Sequence, residues 1–435
     1  MRVAFYTLGC KVNQTESGAM GAFLAGRGHV VVLPGEDSDA VVINTCTVTA
    51  VSDKKSRQAI RRLRAAYPNA ALAVCGCLPE SSDLSDWDEI DLLGGSKGKI
   101  EFAKKLEALC MSKGVLPAAP HLVSDPFCPL SSASLSSASP AAYVFESIPA
   151  AAPEGRSRSF LKIQDGCENN CSYCIIPKVR GKCRSRSPED ALKRTREAYL
   201  QGYRELVLTG IEISSYRPSL TALIRSLCLE LPDMRFRLGS LDPSLPDGFF
   251  VGSLEGLTNL CPHFHISLQS GSLDILRAMG RNYTPQDALS SIERLRTAFP
   301  GCAVTGDLIC GFPGETDEQF YETLDFLWRA RFSGLHVFPY SRRPGTPAAS
   351  MPGQLSASEK RLRAKAASEV VAVTALEYRA AQVGRILDVL FESERIGLSG
   401  NYLEVKVPSG GERTKISKVR VNSLEGKVLR GEICD

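Results

Sequence analysis

The spacing of hydrophobic and polar positions changes character several times along the chain. Over residues 1–110 the short β-rich runs Val3–Leu8, His29–Leu33, Ala40–Asn44 and Ala70–Cys75 alternate with helical periods at Glu16–Ala25 and Ser52–Ala66. Such alternation predicts a parallel α/β sheet domain. From 111 to 155 the pattern dissolves into Ala, Ser and Pro, as in Ser131-Ser132-Ala133-Ser134-Leu135-Ser136-Ser137, which predicts an interdomain linker. Residues 156–370 return to alternation, with strand runs at Phe160–Gln164, Glu205–Thr209, Arg235–Ser240, Phe264–Leu268, Val304–Cys310 and Gly334–Phe338. Helical stretches such as Glu189–Tyr199, Gln286–Phe299 and Asp317–Arg331 lie between them. Six βα units fall two short of a complete barrel, so a central partial (β/α)6 barrel is expected, with function at the strand C-termini. Over 371–435, after helical Ala366–Arg379, the runs Arg385–Phe391, Tyr402–Val407, Lys415–Val421 and Lys427–Leu429 predict a small C-terminal OB-like β-barrel. The expected class is α/β multidomain.

Composition narrows this only slightly. A chain of 435 residues exceeds the roughly 250–300 that one core serves, and 43% hydrophobic with 23% charged residues is ordinary for a soluble protein. A formal charge of +4 means that any nucleic-acid affinity must come from local clusters. Two exist. The helix Ser52–Ala66 carries Lys54, Lys55, Arg57, Arg61, Arg62 and Arg64, and the tail carries Arg413, Lys415, Lys418 and Arg420 with Tyr402 as a stacking aromatic. Each reads either as a phosphate-contacting surface or as a solvated face. No apolar run approaches the roughly 20 residues of a membrane span, and the N-terminus turns polar too soon for a signal peptide. A cytoplasmic location without membrane association is expected.

Fifteen cysteines in such a chain argue for metal or cluster binding over disulfides. In Gly166-Cys167-Glu168-Asn169-Asn170-Cys171-Ser172-Tyr173-Cys174-Ile175-Ile176-Pro177 three of them stand as C-x3-C-x2-C after the first central strand. Three thiolates can hold a four-iron cluster but leave one iron open. An open iron can bind the amino and carboxylate groups of S-adenosylmethionine, whose reductive cleavage yields a 5′-deoxyadenosyl radical. A structural zinc site is the competing reading, with Cys183 as its fourth ligand. Cys10, Cys46 and Cys77 follow the first, third and fourth N-terminal strands. Parallel strands end on one edge, so these thiols either converge as a second three-thiolate site or remain unrelated loop cysteines. Cys75 is a rival to Cys77.

The chain resembles the methylthiotransferases, two-cluster radical S-adenosylmethionine enzymes, over essentially its whole length. The resemblance is carried by Asn44-Thr45-Cys46-Thr47-Val48-Thr49, Gly166 to Pro177, His265-Ile266-Ser267-Leu268-Gln269-Ser270-Gly271-Ser272, Gly311 to Thr316 and Phe338-Pro339-Tyr340-Ser341. Thr7-Leu8-Gly9-Cys10-Lys11-Val12-Asn13-Gln14, Ser52-Asp53-Lys54-Lys55-Ser56-Arg57-Gln58 and Arg342-Arg343-Pro344-Gly345-Thr346-Pro347-Ala348-Ala349 look like the branch acting on N6-threonylcarbamoyladenosine in tRNA. The resemblance implies two 4Fe–4S clusters, one on Cys10, Cys46 and Cys77 that carries the sulfur, and a radical-generating one on Cys167, Cys171 and Cys174. It further implies S-adenosylmethionine held near Tyr173, Gly210, Glu212, Ser240, Asp242, Gln269 and Ser270. The tail would be a TRAM-type RNA-binding domain, with Arg57, Arg61, Arg413, Lys415, Lys418 and Arg420 on phosphates. The implied partners are the anticodon loop of ANN-decoding tRNA, modified at position 37, an electron donor such as flavodoxin or ferredoxin, and a sulfur donor. Related branches act on isopentenyladenosine or on an aspartate of a ribosomal protein. A non-catalytic iron–sulfur or zinc RNA-binding protein is the alternative of a different class. Three departures from the branch pattern stand out, Val74-Cys75-Gly76-Cys77-Leu78-Pro79-Glu80 with Cys75 as the rival ligand, Cys310 in place of an aliphatic residue, and the Ser/Ala-rich linker, to which no role is assigned.

Overall fold

The computed structural model describes residues 1–115, 145–152 and 156–434. The chain divides into two compact units, Met1–Pro153 with Phe160–Glu168 and Ile175–Arg194, and Glu154–Ser159 with Asn169–Cys174 and Thr195–Asp435. Of the linker expected at 111–155, residues 116–144 and 153–155 lie outside the described residues. Among the described residues no helix is long and apolar enough to cross a membrane.

The first unit holds a parallel five-stranded sheet in the order Val30–Val32, Arg2–Thr7, Ala40–Thr45, Ala71–Gly76, Leu92–Leu93. Ala40–Thr45 and Ala71–Gly76 are buried at every position, as strands covered on both faces must be. Alternate residues serve the two faces. Val42, Ala73 and Cys75 pack with Met20, Leu24, Phe102 and Leu106, whereas Val41, Ile43, Leu72 and Val74 pack with Ile60 and Leu63. The helices responsible are Lys11–Ala25 and Lys99–Ser112 on one side and Ala50–Ala66 on the other. Lys11–Ala25 begins directly after Cys10, earlier than the Glu16 start read from the sequence.

In the second unit Glu205–Thr209, Arg235–Leu238, Ser240–Leu241, His263–Gln269, Ala303–Cys310 and Gly334–Pro339 form parallel neighbours in chain order. The second and third of these are one bent strand, broken at Gly239. A Cβ there would stand 3.0 Å from the Leu208 carbonyl oxygen, which accepts the Gly239 N–H. Together with Ser159–Lys162, every one of the six expected central strands is present.

The tail is a closed barrel of five strands, Ile386–Phe391, Ile396–Ser399, Glu404–Lys406, Ile416–Glu425 and Val428–Ile433. Sequence reading found four runs and passed over Ile396–Ser399. Gly397 interrupts its pattern because a Cβ there would stand 2.5 Å from Val389 Cγ1 and 2.7 Å from the Leu390 carbonyl oxygen. The barrel is seated by two buried arginines. Arg235 donates to the carbonyl oxygens of Asp388 (2.9 Å) and Leu398 (2.8 Å), and Arg237 to those of Gly400 (2.8 Å) and Ser399 (3.1 Å). Both arginines also pair with buried Glu205. Burial pushes the Glu205 carboxyl up, but the two guanidinium groups outweigh it and hold its pKa at about 2. Tyr402, read from the sequence as an RNA-stacking aromatic, instead stacks on His263 at 4.4 Å with Arg237 5.0 Å over its ring. Its ring belongs to this joint.

Candidate cluster and cofactor sites

Cys10, Cys46 and Cys77 stand at the C-terminal ends of adjacent strands, and their loops are bound together. Asn13 Nδ2 donates to Leu8 O (2.8 Å) and Thr45 O (2.9 Å), and the Cys77 N–H donates to Thr45 O (3.1 Å). Gly9, at φ +101°, lets the first loop close on the second, since a Cβ there would meet Cys46 Sγ at 3.0 Å. Cys46 and Cys77 are buried, and Cys10 lies exposed at the rim. Although the Cys10 residue is open, protein packs closely enough round its thiol to push the pKa up. Burial does the same for Cys46 and Cys77. Each thiol is coupled electrostatically to another of the three and to the Arg180 guanidinium, which opposes the rise. Cys75, fully buried within its strand, packs in the apolar core with Val42, Ala73 and Phe102.

Arg180 ends the short helix Ile176–Arg180 and is completely buried. It donates to Glu16 Oε1 (2.9 Å), Asp165 Oδ1 (3.1 Å) and Asn13 Oδ1 (2.7 Å). Lys162 joins Glu16 (3.1 Å) to Asp165 (3.2 Å), Lys99 lies 3.9 Å from Glu16, and Arg184 lies 3.2 Å from Asp165. Burial would raise the Glu16 pKa, but Arg180 and the lysines hold it at about 2. Asp165 is likewise held well below the usual carboxylate range, burial being outweighed by Lys162 and Arg180.

Asp165 leads into the local cysteine motif. Its Oδ1 accepts the Gly166 N–H at 2.8 Å, and the Cys167 N–H donates to Gly181 O at 3.0 Å. Gly166 sits at φ +74°, and a Cβ there would stand 2.1 Å from Lys182 O. In the second unit Ser172 anchors the rest of the motif, its N–H to Met279 O (2.9 Å) and its Oγ to Ala278 O (2.8 Å). Arg281 Nη1 lies 3.3 Å from Cys171 Sγ, while Nη2 donates to Asp242 Oδ2 at 2.7 Å. The buried Tyr173 phenol is pushed up by burial and then by Cys171. The Glu212 carboxyl is raised by burial and then by Asp242, and its side chain accepts the Ser214 N–H at 3.2 Å. Tyr173, Glu212 and Asp242 therefore belong with Cys171 and Arg281 to one electrostatic group. Gly210 is half-buried and Ser240 exposed. Gln269 takes φ +69°, a left-handed conformation that a side-chain-bearing residue adopts at a cost, which marks functional sites. Ser270 is buried and turned inward, its Oγ 3.4 Å from Thr323 Oγ1 and accepting the Ser272 N–H at 3.1 Å. Among the described residues no three His, Cys, Asp or Glu side chains stand close enough to hold a single metal ion. Cys183 Sγ lies 3.3 Å from Gln164 Nε2.

The basic residues separate into committed and open ones. Arg57 is tied to Asp53 (2.6 Å) and Ser82 (2.7 Å), and Arg61 lies 5.0 Å over the Trp87 ring. Lys418 and Arg420 are exposed and alternate with buried Val419 and Val421, so they share the outer face of their strand. Arg413 is exposed, and Lys415 pairs with Glu412 at 2.9 Å. Sequence reading missed Arg180, Glu16 and Arg281. For Arg180 the available signal was its place six residues after Cys174. Nothing in the pattern marked Arg281.

Parallel strands bearing a three-cysteine loop and a rim of acidic and arginine side chains define a radical S-adenosylmethionine protein. The Radical SAM superfamily model matches residues 161–327, and the model described as Uncharacterized protein family UPF0004 matches 2–92. The chain is 34% identical to the threonylcarbamoyladenosine tRNA methylthiotransferase MtaB of Bacillus subtilis, over 96% of this chain and 93% of that one. It is 32% identical to the tRNA-2-methylthio-N(6)-dimethylallyladenosine synthase of Pelotomaculum thermopropionicum, over 90% of this chain and 87% of that one. Among solved structures, the radical S-adenosylmethionine methyltransferase TsrM from Kitasatospora setae superposes with a TM-score of 0.55 at 14% identity, over 80% of this chain and 75% of that one, a likeness of fold. The chain belongs to the MtaB-type methylthiotransferase family of radical S-adenosylmethionine enzymes.

Proposed function

We propose that the protein is a tRNA methylthiotransferase that converts N6-threonylcarbamoyladenosine at position 37, beside the anticodon, to its 2-methylthio derivative. The observation that carries this reading is that Cys10, Cys46 and Cys77 follow the ends of three adjacent parallel strands, with the loops tied by Asn13 and closed at Gly9, in a chain that also bears Cys167, Cys171 and Cys174. Two sets of three thiolates suit two four-iron clusters, each with an open iron. Gly9, at φ +101° against Cys46, and the donor set itself fit such a group. When bound, the clusters and S-adenosylmethionine supply the radical and the sulfur.

The chain's own side chains then position and shield. Arg281, fixed by Asp242, lies against the Cys171 sulfur, and buried Glu212 and half-buried Tyr173 line the cofactor's place. Lys418 and Arg420, with Arg413 and Lys415 nearby, offer the small barrel's outer face to anticodon-loop phosphates of ANN-decoding tRNA. The reaction needs a low-potential one-electron donor of flavodoxin or ferredoxin type and a sulfur donor. Nucleoside mass spectrometry of tRNA from a deletion strain tests the reading. Loss of the 2-methylthio-threonylcarbamoyl nucleoside is expected, and an unchanged profile would sink it.

A further inference from the structure

The buried charges beneath Cys10, Cys46 and Cys77 do not balance. Among the described residues Lys99, Lys162, Arg180 and Arg184 pair with Glu16 and Asp165, all with less than a tenth of their surface exposed. Even Glu146, half-buried near Lys162, leaves the cations ahead, four to three. An excess of buried positive charge is costly unless an anion sits beside it. The imbalance has a direction, because Arg180 Nη2 donates to Asn13 Oδ1 at 2.7 Å, the oxygen that stands 3.7 Å from Cys10 Sγ, while Asn13 Nδ2 binds the loops leading to Cys10 and Cys46. The Arg180 guanidinium also opposes the pKa rise at each of the three thiols. Its Nε, fully buried, has no hydrogen-bond acceptor among the described residues. A buried N–H left in this state costs stability until an acceptor arrives. Meanwhile Glu16, Asp165 and Asn13 grip the other two guanidinium nitrogens and fix where the charge lies.

We propose that Arg180 is the built-in counter-charge of the cluster held by Cys10, Cys46 and Cys77, and that it raises that cluster's reduction potential by stabilising the added electron. The inference rests on the ligand reading above. Net charge and hydrogen bonds to sulfur are among the levers by which a protein sets cluster potentials. Arg180 is a positioning residue here, acting through the thiolates. Glu16, bonded to the same guanidinium, carries the opposite charge and works against it.

The test uses the full chain carrying Cys167→Ala, Cys171→Ala and Cys174→Ala, reconstituted with iron and sulfide and titrated with dithionite under EPR. Failure of this parent to hold a cluster would overturn the ligand reading and the proposal with it. If it holds one, Arg180→Gln should shift the reduction equilibrium at least tenfold toward the oxidised form, about 59 mV for one electron. Arg180→Lys should stay near the parent. Glu16→Gln, isosteric and still an acceptor, should shift the opposite way, and it decides the matter if Arg180→Gln does not fold. Lys99→Met, which removes a charge of the same network held by Gly95 O and Glu16, should lower the melting temperature and leave the potential near the parent's. Potentials unmoved in both Arg180→Gln and Glu16→Gln, or moved equally by Lys99→Met, would overturn the assignment.

Discussion

Cys167, Cys171 and Cys174 lie within eight residues of chain, whereas Cys10, Cys46 and Cys77 are neighbours only because three strands of a folded sheet end side by side. The first set needs a loop anchored at Ser172. The second needs the whole core formed by Met20, Leu24, Phe102 and Leu106 beneath its sheet. Their electrostatics differ in the same sense. Arg281 reaches Cys171 already neutralised by Asp242, at a partly open rim, while Arg180 sits in a sealed network with a surplus of positive charge. A local motif can be rebuilt on many scaffolds. A distributed one is as stable as the domain that carries it.

The largest expected effects break the two sets separately. Cys171→Ala should abolish 5′-deoxyadenosine formation while about four irons remain, and Cys77→Ala should keep cofactor cleavage but lose the methylthio product. Iron analysis with an S-adenosylmethionine cleavage assay reads both. Cys75→Ala, in the core rather than at the site, should keep all the iron and cost only about 1 kcal/mol in denaturant unfolding. Leu106→Ala sharpens the contrast. It should destabilise the first unit by about 2–5 kcal/mol and reduce iron at the strand-edge set, with cleavage persisting.

Acid should act on both units through Glu16 and Glu205, each held at about 2 when folded. Their unfolded pKa lies near 4.3, so their contribution is complete above that value and disappears as the pH falls from about 5 to 2. Each shift corresponds to roughly 3 kcal/mol, and Glu16→Gln should flatten the stability–pH slope in that window. The smallest effect is at the RNA face. Lys418→Ala or Arg420→Ala should weaken tRNA binding modestly and reduce its salt slope by about 1.

The same contrast explains what the sequence made legible. The C-x3-C-x2-C motif is visible because its geometry is written in adjacent residues. Cys10, Cys46 and Cys77 were visible only through the rule that parallel strands share an edge. Glu16 and Arg180 were not, because a charge on a helix reads as solvent-facing until another element covers it. Tyr402 misled for the converse reason. An aromatic at a turn reads as available for stacking, yet His263 and Arg237, far away in sequence, had already claimed its faces.

Arg235 and Arg237 donate to main-chain oxygens of the C-terminal barrel, those of residues 388, 398, 399 and 400, with the Tyr402 ring as a side-chain partner of Arg237. Apart from Tyr402, these contacts follow the path of the backbone rather than the identity of the residues along it. The barrel's outer surface can therefore change in sequence while its mounting persists.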